Sequence, residues 1–451
     1  MVTLPRVLVA APASGHGKTM LSVGLMGALH RRGLTVAPAK VGPDYIDPGY
    51  HALATKRPSR NLDPVLCSPE LVPQLLLRGA TVPAPADVAV IEGVMGLFDG
   101  RVGRHGEGSA AHVASLTDTP VVLCADASRT SRTIAATVAG LAGFDSRVRV
   151  AGVIFNKVSS PRQRSEICDA MSHVDVPVLG FLPKDESVEA PSRHLGLVPA
   201  AERPDAAEHL SSLFDLIEEH VDLDALLDVA RTAPPLPHKA WDPPDVVRAP
   251  PASHPVVAVA GGRAFTFRYA ETVELLEAGG CIVEEFDPTS SPHLPGGTAG
   301  LYLGGGFPEV HATELASNQS LLDDVRLAVA DGVPTVAECA GMLYLGESLD
   351  GVPMAGALPL RAAMGKRLQM GYRDAVALVD SPLAGAGTRV VGHEHHRTAA
   401  QIEAPTGWDL VGLHRDGVAT SSVHASYLHV HWAGHPALAQ RFINACHERN
   451  T

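Results

Sequence analysis

The segment Pro12-Ala13-Ser14-Gly15-His16-Gly17-Lys18-Thr19 lies between an apolar run and a helical pattern. Its residue types suit the binding of a nucleoside triphosphate. Gly15 and Gly17 let backbone N–H groups turn toward phosphate oxygens, and a helix N-terminus adds favourable partial charge. Lys18 has the reach for the terminal phosphates, and the Thr19 hydroxyl is a ligand for Mg²⁺. The spacing departs from G-x-x-x-x-G-K-[ST] only at its first glycine, which is Pro12 here. The bland alternative, a glycine-rich turn that caps a helix, is disfavoured by the strand–loop–helix setting. Mg²⁺ takes hard oxygen ligands, so carboxylates are expected at neighbouring strand ends. Asp44 and Asp47 stand in Lys40-Val41-Gly42-Pro43-Asp44-Tyr45-Ile46-Asp47-Pro48, and Glu92 and Asp99 in the segment 91–100. Ligands of open α/β sheets bind outside the carboxyl ends of the strands, so these four carboxylates and Thr19 are the candidate metal ligands. Asn156, after another apolar run, is a candidate contact to the nucleotide base, with a plain turn residue as its equal alternative.

A second chemistry is written later in the chain. Cys339 sits in Val336-Ala337-Glu338-Cys339-Ala340-Gly341-Met342, between a strand pattern and a helical one. The small residues Ala337 and Gly341 permit the sharp elbow that exposes a nucleophile. A thiol at a helix N-terminus is expected to have a lowered pKa and thiolate character. It needs a base, and His429 and His431 in Tyr427-Leu428-His429-Val430-His431-Trp432 are the candidates. The glycines of Leu303-Gly304-Gly305-Gly306-Phe307-Pro308-Glu309 end another strand, so Gly305 and Gly306 are candidate oxyanion donors. Thiol, base and oxyanion donors together make acyl transfer through a thioester.

The elements that must position these groups follow from periodicity. Buried-strand patterns at 6–11, 35–40, 88–92, 121–126, 150–156 and 178–182 alternate with helical patterns at 19–31, 131–141 and 162–173. Apolar runs without polar alternation suit strands covered on both faces, and the alternation predicts a doubly wound parallel α/β sheet. Residues 232–254 are rich in proline and poor in large apolar residues, and read as a linker. Strand–helix alternation then resumes, with a helix at 269–278, a strand at 301–303, a helix at 315–330 and a strand at 335–337. The expected organisation is therefore 1–231, a linker at 232–254, and 255–451. A length of 451 residues agrees with more than one domain. The 45% hydrophobic and 19% charged residues describe a globular chain. With 49 acidic against 36 basic residues and a net charge of −13, coating of nucleic acid or of an anionic membrane is disfavoured. The six cysteines form no CxxC pair, so neither a zinc knuckle nor a disulfide framework is expected. No signal-like N-terminus or membrane-length apolar run is present, and a cytoplasmic protein is expected.

With both constellations in view, the chain resembles the cobyrinate (or hydrogenobyrinate) a,c-diamide synthase family. The resemblance rests on residues 14–19, on Lys40 to Pro48, on residues 92–100 and on Arg193-His194-Leu195-Gly196-Leu197 in the first half. In the second half it rests on residues 304–309, 337–341 and 426–432 and on Gly392-His393-Glu394. It implies a P-loop amidoligase domain related in fold to dethiobiotin synthetase, joined to a class I, triad-type glutamine amidotransferase domain. It further implies ATP and Mg²⁺ as cofactors, L-glutamine as nitrogen donor and a polycarboxylate corrin-type macrocycle as substrate. The a and c acetate groups would be amidated through an acyl phosphate. Lys40, Tyr45 and Ile46 are carried over as the substrate-facing edge of their loop.

The sequence also departs from the resemblance. Many class I amidotransferases carry a Glu two residues after the catalytic His, and His431 stands there instead. A Cys339–His429 dyad is therefore expected, with His431 as the alternate base. Ala337 and Leu343 replace the usual Gly and Gln of the elbow. Metal-free, cobalt-containing and nickel-containing macrocycles all stay open as substrates, and oligomeric state stays open too, a homodimer being one option. The reading from another class is a P-loop switch ATPase of the partitioning type with a degenerate second domain. Such a switch has no use for a nucleophile elbow, so Cys339 with His429 favours the enzyme.

Overall fold

The computed structural model describes residues 1–185, 192–193, 196–203, 205–250 and 254–450. His194 and Leu195 of the family string, and residues 251–253 of the Pro-rich stretch, lie outside the described residues. The chain divides into two compact units, Met1–Trp241 and Asp242–Thr451. In the Pro-rich stretch, Leu236 pairs its backbone with Val2 and is 1% exposed, and Trp241 is buried in the first unit. Val247 is buried in the second. Few apolar residues are present there, and Leu236, Trp241 and Val247 are each tucked into one unit while Val246 is exposed.

The first unit runs β1 (Arg6–Ala10), α1 (Lys18–Arg31), β2 (Val36–Val41), α2 (Asp47–Thr55), β3 (Arg60–Leu62), α3 (Leu71–Thr81) and β4 (Val88–Glu92). It continues with α4 (Ala110–Leu116), β5 (Val121–Asp126), α5 (Thr133–Phe144), β6 (Val150–Val158), α6 (Pro161–Met171) and β7 (Val178–Pro183). A two-residue pair, β8 (Ser192–Arg193) with β9 (Gly196–Leu197), precedes α7 (Ala206–His220) and α8 (Leu223–Arg231). The main sheet has the order β3-β2-β4-β1-β5-β6-β7 and is parallel throughout. Strands β1, β2 and β4 are buried along their whole length, as their largely apolar runs suggest, with Arg6, Lys40 and Glu92 as buried charges within them. Strand β3 escapes the sequence pattern because it is three residues long and carries polar Arg60 and Asn61.

The second unit runs β10 (Val256–Ala260), α9 (Ala270–Ala278), β11 (Ile282–Phe286), β12 (Thr298–Leu303), α10 (Ala312–Ser317), α11 (Gln319–Ala330), β13 (Thr335–Glu338) and α12 (Ala340–Leu345). Then come β14 (Ser348–Leu349), β15 (Val352–Pro353), the long β16 (Leu360–Ala377) and β17 (Arg389–Ile402), and β18 (Trp408–Leu410). Last are β19 (Arg415–Asp416), β20 (Val418–Ala419), β21 (Val423–Ser426) and α13 (Pro436–Arg449). Its main sheet has the order β11-β10-β12-β13-β21-β20, parallel as far as β21. A second, mixed sheet is built on the antiparallel pair β16–β17. The helix expected at 315–330 is two helices, because the Asn318 side chain breaks the run and donates to the carbonyls of Pro288 and Ser291 at 3.1 and 2.8 Å. Leu301, Leu303, Leu343 and Leu345 pack into one core beneath the Cys339 elbow. Each stabilises by ~1.5–3 kcal/mol on burial, which makes that floor stiff. Among the described residues no helix is long and apolar enough to cross a membrane.

Candidate active sites

Strand register assembles the first site. Val9 of β1 stands opposite Glu92 of β4, and Glu92 stands opposite Lys40 of β2. The chain leaving β1 forms the loop into α1, with Gly15 at φ 83° and Gly17 at φ 90°, left-handed values that favour glycine. A Cβ on Gly17 would also collide with the Asn156 amide. Thr19, at the start of α1, donates its hydroxyl to Glu92 Oε1 at 2.6 Å and stands 3.3 Å from Asp47 Oδ2. Lys40 Nζ bridges the same two carboxylates, at 2.6 Å from Asp47 and 2.9 Å from Glu92. Behind them His51 Nε2 meets Glu92 Oε2 at 2.7 Å, and its Nδ1 meets Ser59 Oγ at 3.0 Å.

The charges of this cluster are set by opposing effects. Burial disfavours the Glu92 charge, but Lys40, His51 and Thr19 outweigh it and hold the carboxyl well below its usual range. Burial likewise opposes the Lys40 ammonium, and Asp47, Glu92 and Asp44 overcome it and raise its pKa. Asp47 is pushed up by burial, with the neighbouring Asp44 and Glu92 adding to it. Lys18 is lowered by burial and by the nearby Lys40, and donates to the carbonyls of Ala13 and Met95 at 3.3 and 2.5 Å. A cavity of about 580 Å³ opens over Gly15, Lys18, Thr19, Asp44, Glu92 and Asn156. That is a volume within the ordinary range for small-ligand pockets.

The residues fit a hard divalent cation. Thr19 Oγ1, Asp47 Oδ2 and Glu92 Oε1 are gathered at one point, all of them oxygen donors. Among the described residues no group of three or more His, Cys, Asp or Glu side chains forms a protein-only cage. A set of two carboxylates and a hydroxyl suits Mg²⁺, which is commonly held by one or two carboxylates with water and phosphate completing its shell.

The second site is aligned in the same way. Leu303, Ala337 and Ala425 form one row across β12, β13 and β21, and Glu338 stands opposite Ser426. Past that row emerge Gly304, Cys339 and the segment leading to His429, all at the carboxyl ends of parallel strands. Cys339 has φ 49° and ψ −100°, a sharp, strained turn between β13 and α12. Its N–H donates to the Ser426 carbonyl at 2.7 Å, which ties the elbow to the strand leading to the histidines. Gly341 cannot carry a side chain, because a Cβ would strike the Leu303 carbonyl. His429 is fully buried, exchanges both backbone hydrogen bonds with His393, and packs its Cε1 where a Gly305 side chain would be. Asp416 accepts the N–H groups of Tyr427 and Leu428 at 2.9 and 3.2 Å and so pins the turn just before His429. Burial, aided by Glu394, pushes the Asp416 carboxyl up to about 7.

Comparison with known proteins gives this pair of sites a lineage. The model of the CobQ/CobB/MinD/ParA nucleotide binding domain matches residues 7–198, and that of the CobB/CobQ-like glutamine amidotransferase domain matches residues 256–437. The chain is 53% identical to the hydrogenobyrinate a,c-diamide synthase of Thermobifida fusca, across 98% of this chain and 97% of that one. It is 49% identical to the enzyme of the same name from Streptomyces coelicolor, across 98% of both chains. With the cobyrinate a,c-diamide synthase of a Synechococcus strain it shares 38%, again across 98% of both. The chain belongs to the a,c-diamide synthase family. The α/β fold class expected from the strand–helix alternation holds in both units.

Within this a,c-diamide synthase fold, several residues stand elsewhere than expected. Lys40 does line the cavity, but it is 3% exposed and locked between Asp47 and Glu92, so it also holds those two carboxylates together. Tyr45 and Ile46 are buried and are not among the residues that line this cavity. Asp44 does line the cavity, and its Oδ1 also accepts the N–H groups of Ile46 and Asp47 at 2.7 and 3.1 Å. Asp99 is not brought to the metal donors: it is exposed, and its Oδ2 accepts the Gly96 N–H at 3.1 Å to close a turn. Asn156 donates to the His16 carbonyl at 3.0 Å, so it braces the phosphate loop while lining the cavity.

At the second site the Gly305 N–H is already donated to the Phe267 carbonyl at 3.1 Å, which removes it from the oxyanion donors. Gly306 remains a candidate donor, and the Ala340 N–H, directed at the Cys339 sulfur, is a second candidate. The expectation of a lowered thiol pKa is reversed. Burial pushes the Cys339 thiol well above its usual value, and Glu309, Asp416 and Glu338 add to that. Helix α12 has only six residues, so little dipole opposes them. His431 is drawn aside, stacked on Tyr269 at 4.1 Å with its Nε2 3.6 Å from Glu271.

His51 was not singled out in the sequence, because a lone histidine in a helical run carries no motif. It is the partner that Glu92 would lose in His51→Ala. That variant is expected to be destabilised by about 1–3 kcal/mol, the cost of stranding a buried hydrogen-bonding group. Chemical denaturation measures the loss, and an unchanged midpoint would mean that His51 does not hold Glu92.

Proposed function

We propose that this chain is a glutamine-hydrolysing, amide-forming ligase that amidates the a and c acetate groups of a corrin-type macrocycle with ATP. The observation that carries the reading is the strained elbow that holds Cys339 at φ 49° beside the strand end leading to His429, in one chain with the Thr19–Asp47–Glu92 cluster. A switch ATPase needs the second of these and has no use for the first. Metal-free hydrogenobyrinate is the favoured macrocycle, since two relatives bearing that name share 53% and 49% with this chain, against 38% and 41% for two cobyrinate-named ones.

In the second unit, His429 takes the Cys339 proton and the thiolate attacks the carboxamide carbon of glutamine. The Gly306 and Ala340 N–H groups receive the developing oxyanion, where fixed donors act most strongly. His429 returns the proton to the departing ammonia, and water, deprotonated by the same ring, releases glutamate from the thioester. In the first unit, Gly15, Gly17 and Lys18 receive the phosphates of ATP. Thr19, Asp47 and Glu92 would hold Mg²⁺, which when bound neutralises phosphate charge. Lys40 keeps the two carboxylates together, and Lys18 follows the charge of the phosphoryl group as it passes to a substrate carboxylate. A carboxylate is a poor electrophile, and its phosphorylation supplies the leaving group that ammonia displaces. A cytoplasmic setting, where ATP and glutamine are plentiful, suits this chemistry.

The test is an assay of the purified protein with ATP, Mg²⁺, glutamine and each macrocycle in turn, read by mass spectrometry. Two successive carboxylate-to-amide conversions are expected with hydrogenobyrinate. No conversion of any corrin-type macrocycle would rule the reading out.

A further inference from the structure

The position two residues beyond the base, where many triad-type amidotransferases carry a glutamate, is filled here by His431. His431 is turned onto Tyr269 and Glu271 and offers His429 no carboxylate. We infer that Glu338, the residue immediately before the nucleophile, orients the base in its place. Glu338 Oε2 lies 3.5 Å from His429 Nδ1, and the two side chains are 5% and 0% exposed. Two further contacts fix this carboxyl group. The Tyr302 hydroxyl donates to Oε2 at 3.2 Å, and the Val430 N–H, on the residue after His429, is directed at Oε1 at 3.4 Å. Glu338 is the last residue of β13 and faces Ser426 of β21. Strand register, rather than a local turn, therefore brings it to the base.

The chemistry follows from which ring nitrogen faces the acid. With Nδ1–H directed at Glu338, Nε2 is the nitrogen left to accept the Cys339 proton. The ring then carries both protons while the thioester forms. The proton from Nε2 leaves with ammonia, and the Nδ1 proton stays on the ring beside Glu338 throughout. The same assignment gives nucleophile and orienting acid adjacent positions in the chain, 338 and 339, so one strand end sets both. Glu338 is a positioning residue, since it touches neither substrate nor sulfur in this scheme.

This inference rests on the roles proposed above for Cys339 and His429, and its test separates the two. Glutamate release by the full-length protein is measured for Cys339→Ala, Glu338→Gln and Glu338→Asp, each checked for an unchanged unfolding midpoint. Loss of release in Cys339→Ala secures the nucleophile. Glu338→Gln is then expected to lower kcat by roughly 10²-fold or more, since a triad histidine without its acid loses as much in other hydrolases. KM for glutamine should stay within about threefold, because the acid does not contact substrate. Glu338→Asp, which keeps the charge, should recover part of the lost kcat. A Glu338→Gln protein with kcat within about threefold of the parent would overturn the inference, as would equal losses in the Gln and Asp variants. If Cys339→Ala still released glutamate, the underlying reading itself would fail.

Discussion

Cys339→Ala is expected to lose glutamine-driven amidation by roughly 10³-fold or more while amidation driven by high ammonium persists. Removal of the sulfur removes the only atom at the elbow able to form a thioester, and nothing else there can substitute. The change is a small one for the fold: Cys339 is 4% exposed, and alanine keeps its Cβ against the core of Leu303 and Leu343. The strained turn is retained as well, because its φ of 49° is imposed by Gly341 seated under the Leu303 carbonyl and by the Cys339–Ser426 backbone bond. The measurement is product formation with glutamine and, separately, with ammonium chloride. Loss of both activities in a folded variant would mean that the two centres are not separate, and the scheme would be wrong.

The second large effect is expected from Lys18→Ala, which should lower amide formation by roughly 10²–10³-fold, the loss typical when one preorganised charge contact to the transition state is deleted. Lys18 is 8% exposed and is held over the cavity by the Ala13 and Met95 carbonyls, so its ammonium is aimed before a phosphate arrives. Lys40 does not replace it, because its charge is committed to Asp47 and Glu92. Glutamate release should continue in this variant. ATP consumption and glutamate release, followed in parallel, distinguish the outcomes. Unimpaired amide formation would remove Lys18 from the phosphate site.

The readable parts of both sites were those written in contiguous residues. The phosphate loop of 12–19 and the elbow around Cys339 need a strand, a tight turn and a helix in sequence order, and glycines and small residues announce them. Residues recruited across the sheet were hidden. Glu338 meets His429 because β13 lies beside β21, and His51 meets Glu92 because α2 packs on β2, the strand next to β4. Neither pairing has a spacing that a linear pattern can register. Lys40 and Asp99 were read as site residues from their strings, and the strings were informative. Their roles differ because the register buries Lys40 between carboxylates, while the Gly96 N–H engages Asp99. The mixed sheet of the second unit was missed for a simpler reason. Strand β16 is mostly exposed from Arg361 to Asp374, and such a run lacks the apolar signature of a strand. The raised thiol pKa is not legible in the sequence because its main cause, burial of Cys339, and the approach of Glu309 and Asp416 arise only on folding.

The central claim is that one chain draws nitrogen from glutamine at Cys339 and delivers it to a carboxylate activated near Lys18. Glutamine labelled isotopically at its amide nitrogen, supplied with ATP, Mg²⁺ and hydrogenobyrinate and without added ammonium, tests that claim most directly. The account predicts a diamide whose two new nitrogens both carry the label, with one glutamate and one ADP released for each amide. Glutamine hydrolysis that leaves the macrocycle unamidated, or amides formed without label, would contradict it.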